Sequence, residues 1–148
     1  MTGTSEDQRE IRALVEAYAA GVDARRAGDV AALFAGDGVL VTQPAPGAQQ
    51  RETLGPERIE RALAGLERYP ATVHDVANHS SIVDAVAGLA TAETSCFAHH
   101  LQQGDDGTWT DRVLAVRYRD HLRRTPEGWR LARRQLDVLW TEHRTVTR

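Results

Sequence analysis

The sequence predicts an α+β domain in which helices grouped at the front of the chain cover one face of a strongly curved, mainly antiparallel sheet. Three observations carry this. Apolar residues recur at three- and four-residue steps only as far as Pro70, and from Thr72 the period becomes alternating. Turn signals at Ala87-Gly88, Gly104-Asp105-Asp106-Gly107 and Thr125-Pro126-Glu127-Gly128 then cut the second half into four long runs. With 148 residues, 41% of them hydrophobic and 26% charged, the chain is expected to fold as one domain over 1–148.

Ser5 followed by Gln8 reads as a capping box opening the first helix. Ile11, Leu14, Val15, Tyr18 and Val22 give that helix one apolar stripe, which Gly28 interrupts. Asp29 is placed to cap a short second helix, Val30 to Phe34. Val39 to Thr42 is a brief β-rich stretch, after which Pro44, Pro46 and Gly47 force a loop. Pro56 suits the first position of a third helix, on which Ile59, Leu63 and Leu66 share a face and which Pro70 ends. Four strands follow at 72–84, 89–102, 110–124 and 128–142, joined by short turns and therefore antiparallel.

In the second of these strands Ala90, Ala92, Thr94, Cys96, Ala98 and His100 share the face turned toward the helices, while Glu93 and Phe97 share the other. So many small inward side chains leave room that a close-packed core does not tolerate, which suggests a ligand pocket. The competing reading is that Leu114, Val116, Tyr118 and the helix stripe fill the gap.

Composition removes several chemistries. All 18 basic residues are arginine, so a Schiff-base lysine, a pyridoxal-phosphate anchor, a phosphate-loop lysine and a lysine general base are excluded. The single Cys96 can make neither an internal disulfide nor a multi-cysteine zinc site. HExxH, CxxC, GxSxG and GxGxxG are absent, and neither a metal nor a cofactor is expected. The polar run MTGTSEDQRE lacks the basic start and apolar stretch of a secretion signal, and no apolar run approaches the roughly 20 residues of a membrane span. A cytoplasmic protein without a membrane partner is expected.

The formal net charge of −3 is unevenly spread: residues 112–148 carry ten arginines against four acids, residues 1–111 eight against seventeen. Arg117, Arg119 and Arg123 lie on one strand face, but no aromatic residues interleave with them to stack on bases. A solvated or dimer-forming face paired to acids is expected, not a nucleic-acid surface.

His74, Val76 and Asn78 alternate on one face of the strand at 72–84, and His100 lies on the inner face of the next, with His99 opposite. An imidazole titrates near pH 6.5, so two of them facing a pocket could move protons at neutrality; the same positions also suit hydrogen-bonded structural histidines. Asp23, late in the first helix, lies at the margin of its stripe, where a carboxylate either pairs with an imidazole or stays in solvent. Tyr118 and Asp120 share a face, read as a core tyrosine with a rim aspartate. Cys96 and His100 are roughly 13 Å apart along one strand, too far for a thiolate–imidazolium pair, and Cys96 reads as core.

The order of elements and four strings, YAAGVDARRAGDVAALFAGDGVLV (18–41), TVHDVANH (72–79), ATAETSCFAHH (90–100) and RYRDHLRRTPEGWRLARRQLDVLW (117–140), resemble the SnoaL-like polyketide cyclases and scytalone dehydratase-like proteins of the nuclear transport factor 2-like superfamily. The resemblance implies a cone-shaped fold enclosing a pocket, often in a homodimer formed through the outer sheet face, for which Phe97 and Leu101 are suited. It also implies an acid–base group of Asp23, His74 and His100, with His99 taking the place of His100 if the register shifts by one. Two tyrosines of the scytalone dehydratase pattern are missing, one replaced by Val22 and one without a counterpart in Val39-Leu40-Val41. Proton transfer next to a carbonyl is what these relatives share. The expected function is therefore a cofactor-free dehydratase, cyclase or isomerase acting on a small, partly apolar carbonyl or polyketide-like compound, with Tyr18, Asn78, Cys96, Val116 and Tyr118 around the substrate. The alternative is a non-catalytic ligand-binding or dimeric interaction module on the same fold.

Overall fold

The computed structural model describes residues 2–148, with side chains from Ser5 onward. In chain order it forms α1 (Thr2–Asp23), α2 (Ala27–Ala31), β1 (Phe34–Thr42), β2 (Arg51–Leu54), α3 (Pro56–Ala64) with a 3₁₀ turn at Gly65–Arg68, β3 (Ala71–Asp84), β4 (Leu89–Gln103), β5 (Trp109–Thr125) and β6 (Gly128–Val146). The strands make one sheet in the order β2-β1-β6-β5-β4-β3. Every neighbouring pair is antiparallel except β1 and β6, which run parallel.

The α1 stripe is buried throughout: Ile11, Leu14, Val15, Tyr18 and Val22 all pack into the core. Burying each such side chain is worth about 1.5–3 kcal/mol, which is what holds a helix of mixed polarity against β3. Two acids on α1 reach across to β6: the Trp129 indole N–H donates to Asp7 (3.1 Å), and the Trp129 backbone N–H donates to Glu10 (2.9 Å).

Several expected details are corrected. Because α1 begins at Thr2, Ser5 and Gln8 lie inside the helix and not at its cap, and the Gln8 amide donates instead to the Ser81 carbonyl (3.2 Å). The second helix spans Ala27–Ala31, so Asp29 sits in its first turn without capping it and Phe34 belongs to β1. β1 reaches back through Gly36 and Gly38, which look like turn residues, and carries a register shift between Phe34 and Val39. A Cβ on Gly38 would lie 2.8 Å from the Leu131 carbonyl oxygen, so only glycine lets β1 approach β6 there. The short β2 has no apolar alternation to reveal it, since Arg51, Glu52 and Leu54 are all exposed.

On β4 the inward row is as expected, with Ala90, Ala92, Thr94, Cys96, Ala98 and His100 all buried and the residues between them more open. Phe97 and Leu101 lie on the outer face, Phe97 being 39% exposed. On β3 a register shift between Val76 and His79 resets the alternation. Thr72, His74 and Val76 turn inward before it, and His79, Ser81 and Val83 after it, which leaves Asn78 exposed. Arg117, Arg119 and Arg123 pair with Glu93 (3.5 Å), Asp137 (3.0 Å) and Asp37. No helix among the described residues is long and apolar enough to cross a membrane.

Candidate functional site

The concave face of the sheet, α1 and α3 enclose a cavity of about 960 Å³, within the range of small-molecule sites. The small Ala98 on β4 leaves this space, and Leu114, Val116 and Tyr118 on β5 border it without filling it. Tyr18, His74, His100, Val116 and Tyr118 line the cavity. Asn78 does not, being carried to the outside by the β3 register shift. Cys96 does not either: it is packed in the core with its thiol against the Tyr118 hydroxyl, and burial pushes the thiol up to about 11, so it stays protonated.

Asp23, the last residue of α1, stands behind His74. One carboxylate oxygen is 2.7 Å from His74 Nδ1 and accepts from the Thr72 hydroxyl (3.0 Å); the other accepts the His74 backbone N–H (2.8 Å). Burial opposes ionisation of this carboxyl, but the hydrogen bonds from His74 and Thr72 outweigh it and hold the group below its ordinary value. An ionised carboxylate only accepts, so Nδ1 of His74 carries a proton and Nε2 is the ring nitrogen left for a guest.

His100 is fixed differently. Its Nδ1 lies 3.2 Å from the Arg112 carbonyl, which likewise assigns the proton to Nδ1 and leaves Nε2 free. Burial lowers its pKa, the Arg112 charge acts in the same direction, and the hydrogen bond to the Arg112 carbonyl opposes them without cancelling the shift. The His74 and His100 rings are 5.9 Å apart and nearly perpendicular, and the Tyr69 ring is 5.0 Å from His100. Burial pushes Tyr18 up to about 12 and Tyr118 well above its ordinary value, so both remain neutral O–H groups.

Asp120 is not at a rim. It is buried in a two-pronged pair with Arg134 (2.8 and 2.7 Å), whose guanidinium lies 4.2 Å from the centroids of both Tyr18 and Tyr118. This pair backs the two tyrosines that line the cavity. Among the described residues no three His, Cys, Asp or Glu side chains gather closely enough to hold a metal ion.

Four contributors escaped the sequence reading. Arg25 follows α1 with a left-handed backbone (φ 60°), and its guanidinium donates to the Val22 carbonyl (3.1 Å), the Thr72 hydroxyl (2.7 Å) and the Tyr69 carbonyl (2.9 Å). It thereby ties the end of α1 to the start of β3 and aims the Thr72 hydroxyl at Asp23. Nothing in the sequence announces a non-glycine residue in that conformation. Thr72 and Tyr69 become visible only through that tie. Arg112 had a signal: the hairpin turn at 104–107 sets the register that pairs it with His100.

The profile of the SnoaL-like domain matches residues 3–135. An uncharacterised protein of Mycobacterium tuberculosis is 28% identical over 130 residues, covering 86% of this chain and 82% of its own length. Among solved structures, a provisionally named scytalone dehydratase from Novosphingobium aromaticivorans superposes with a TM-score of 0.80 at 22% identity, covering 99% of this chain and 94% of that one. An NTF2-like protein with a cystatin-like fold from the same organism superposes with a TM-score of 0.71 at 26% identity, covering 93% and 85%.

Proposed function

The chain belongs to the SnoaL-like domain family, and from that premise we propose that it is a cofactor-free acid–base enzyme, a dehydratase, cyclase or isomerase, acting on a small, partly apolar carbonyl compound held in the cavity. The observation that carries the reading is the convergence of two imidazoles on one cavity, one of them backed by a carboxylate at 2.7 Å. His74 Nε2 takes a proton from the carbon next to the carbonyl. Asp23 holds the ring in the required tautomer and stabilises the imidazolium that forms. His100, the second imidazole, passes a proton to or from the substrate oxygen, and the neutral phenols of Tyr18 and Tyr118 line the same cavity.

The test does not require the natural substrate. A panel of cyclic ketones, β-hydroxy ketones and aromatic keto acids is incubated in D₂O, and exchange of the protons next to the carbonyl is followed by NMR. The protein is expected to accelerate exchange for at least one compound, and Asp23→Asn to slow it. Exchange that proceeds as in buffer for the whole panel, or that is undiminished in Asp23→Asn, removes the reading in favour of a ligand-binding module.

A further inference from the structure

The charge of the cavity opposes that of the chain. The protein is formally −3, yet Arg51, Arg58, Arg61, Arg68 and Arg112 line the cavity against one carboxylate, Glu52. Glu52 is already held by Arg133 (2.9 Å), and Arg61 by Glu57 (3.2 Å). Among the described residues the other four arginines meet no carboxylate. Away from the cavity lining, Arg117, Arg119, Arg123, Arg124 and Arg134 each meet an acid.

Arg112 is the innermost and the best held. It is half-buried, one of its N–H groups donates to the Pro44 carbonyl (2.6 Å), and its own carbonyl accepts from His100 Nδ1. A guanidinium has five N–H donors in a planar fork suited to the paired oxygens of an anion, and most of this fork remains for a guest. Exposed guanidinium groups at Arg51, Arg58 and Arg68 raise the local concentration of anions at the mouth. The walls beyond them, including Leu40, Leu114, Val116 and Val138, are apolar and fit a hydrocarbon body.

We propose that the substrate is an organic anion, an apolar body bearing a carboxylate or phosphate group that Arg112 grips beside His100. The proposal specifies the substrate class of the acid–base reading and rests on that reading for what happens after binding; binding itself is tested separately. The full chain is titrated calorimetrically, at low and high salt, with 1-naphthoate, 1-naphthyl phosphate and the neutral 1-naphthalenemethanol. At least one anion is expected to bind about tenfold or more tightly than the alcohol, the two anion arms separating carboxylate from phosphate. Arg112→Gln is expected to abolish the preference, and the exposed Arg58→Gln to weaken its salt-dependent part. Neither anion binding more tightly than the alcohol, whether all three bind or none, overturns the proposal; so does a folded Arg112→Gln that keeps the full preference. Should Arg112→Gln fail to fold, the wild-type comparison and Arg58→Gln decide. An anion preference without deuterium exchange defeats the acid–base reading alone, and exchange without the preference defeats only this one.

Discussion

Two histidine–aspartate pairs of nearly equal length sit on opposite faces of one sheet. Asp23 meets His74 Nδ1 at 2.7 Å on the cavity side, and Asp111 meets His99 Nδ1 at 2.6 Å on the outer side. Their short contacts do not tell them apart. Their surroundings do. Both oxygens of Asp23 are used, by His74 and Thr72, and His74 borders the cavity. One oxygen of Asp111 is buried without a partner, and His99, one residue from His100, is turned away from the cavity by strand alternation. An imidazole backed by a carboxylate is a common local arrangement; what sets one of these two apart is the empty space in front of it. A third pair, Asp120–Arg134, shows the other extreme, with both side chains fully shut off from solvent.

The largest difference is expected between His74 and His99. His74→Gln is expected to lower the rate of deuterium exchange roughly 10²–10⁴-fold, the usual contribution of a positioned general base, while His99→Gln leaves it unchanged. Equal losses in the two variants would erase the distinction between the faces.

The next effect concerns stability. Asp120→Asn leaves the Arg134 charge buried and unmatched, so the unfolding free energy in urea is expected to fall by about 3–5 kcal/mol. Asp111→Asn removes an acid from a partly open pair and should cost clearly less. If the two losses are equal, enclosure does not rank these pairs.

The smallest effect is a pH dependence. Burial lowers the pKa of His100 and of His79 below the ordinary 6.5, so in the window beneath 6.5 the unfolded chain binds more protons than the folded one. Stability therefore rises with pH through that window and is fully present above it. Thermal melts between pH 7.5 and 5 should show the wild type losing stability on acidification, and His100→Gln losing less. Asp23 acts lower: its carboxyl is depressed below 3.8, so its contribution holds above that value and disappears as pH falls further. Asp23→Asn should flatten that acid limb, and a limb of unchanged steepness would mean that the carboxylate is not stabilised by His74 and Thr72.

Much of this was legible in the sequence because it is local. The α1 stripe, the four long strands and the inward row of β4 follow from periods of 3.6 and 2, and each can be counted along the chain. The same counting failed where one residue changes the phase. Alternation from His74 predicts Asn78 inward, but the register shift after Val76 hands that face to His79. Strand alternation alone suggests a rim position for Asp120, because its burial depends on Arg134, fourteen residues away on the next strand.

Local pattern along the chain suffices for the three helices, the four long strands, the apolar faces of α1 and β4, and the chemistries that are impossible without lysine and with one cysteine. Folding across distant segments is what brings His74 and His100 to one cavity with Asp23 behind His74, ties Arg25 to Thr72 and Tyr69, and stands Arg112 beside His100 with most of its donors free. The physical reason is range. A period reports the neighbours of a residue along the chain, whereas a cavity, a reset register and an unpaired guanidinium are set by segments far apart in sequence that come together only when the sheet closes around them.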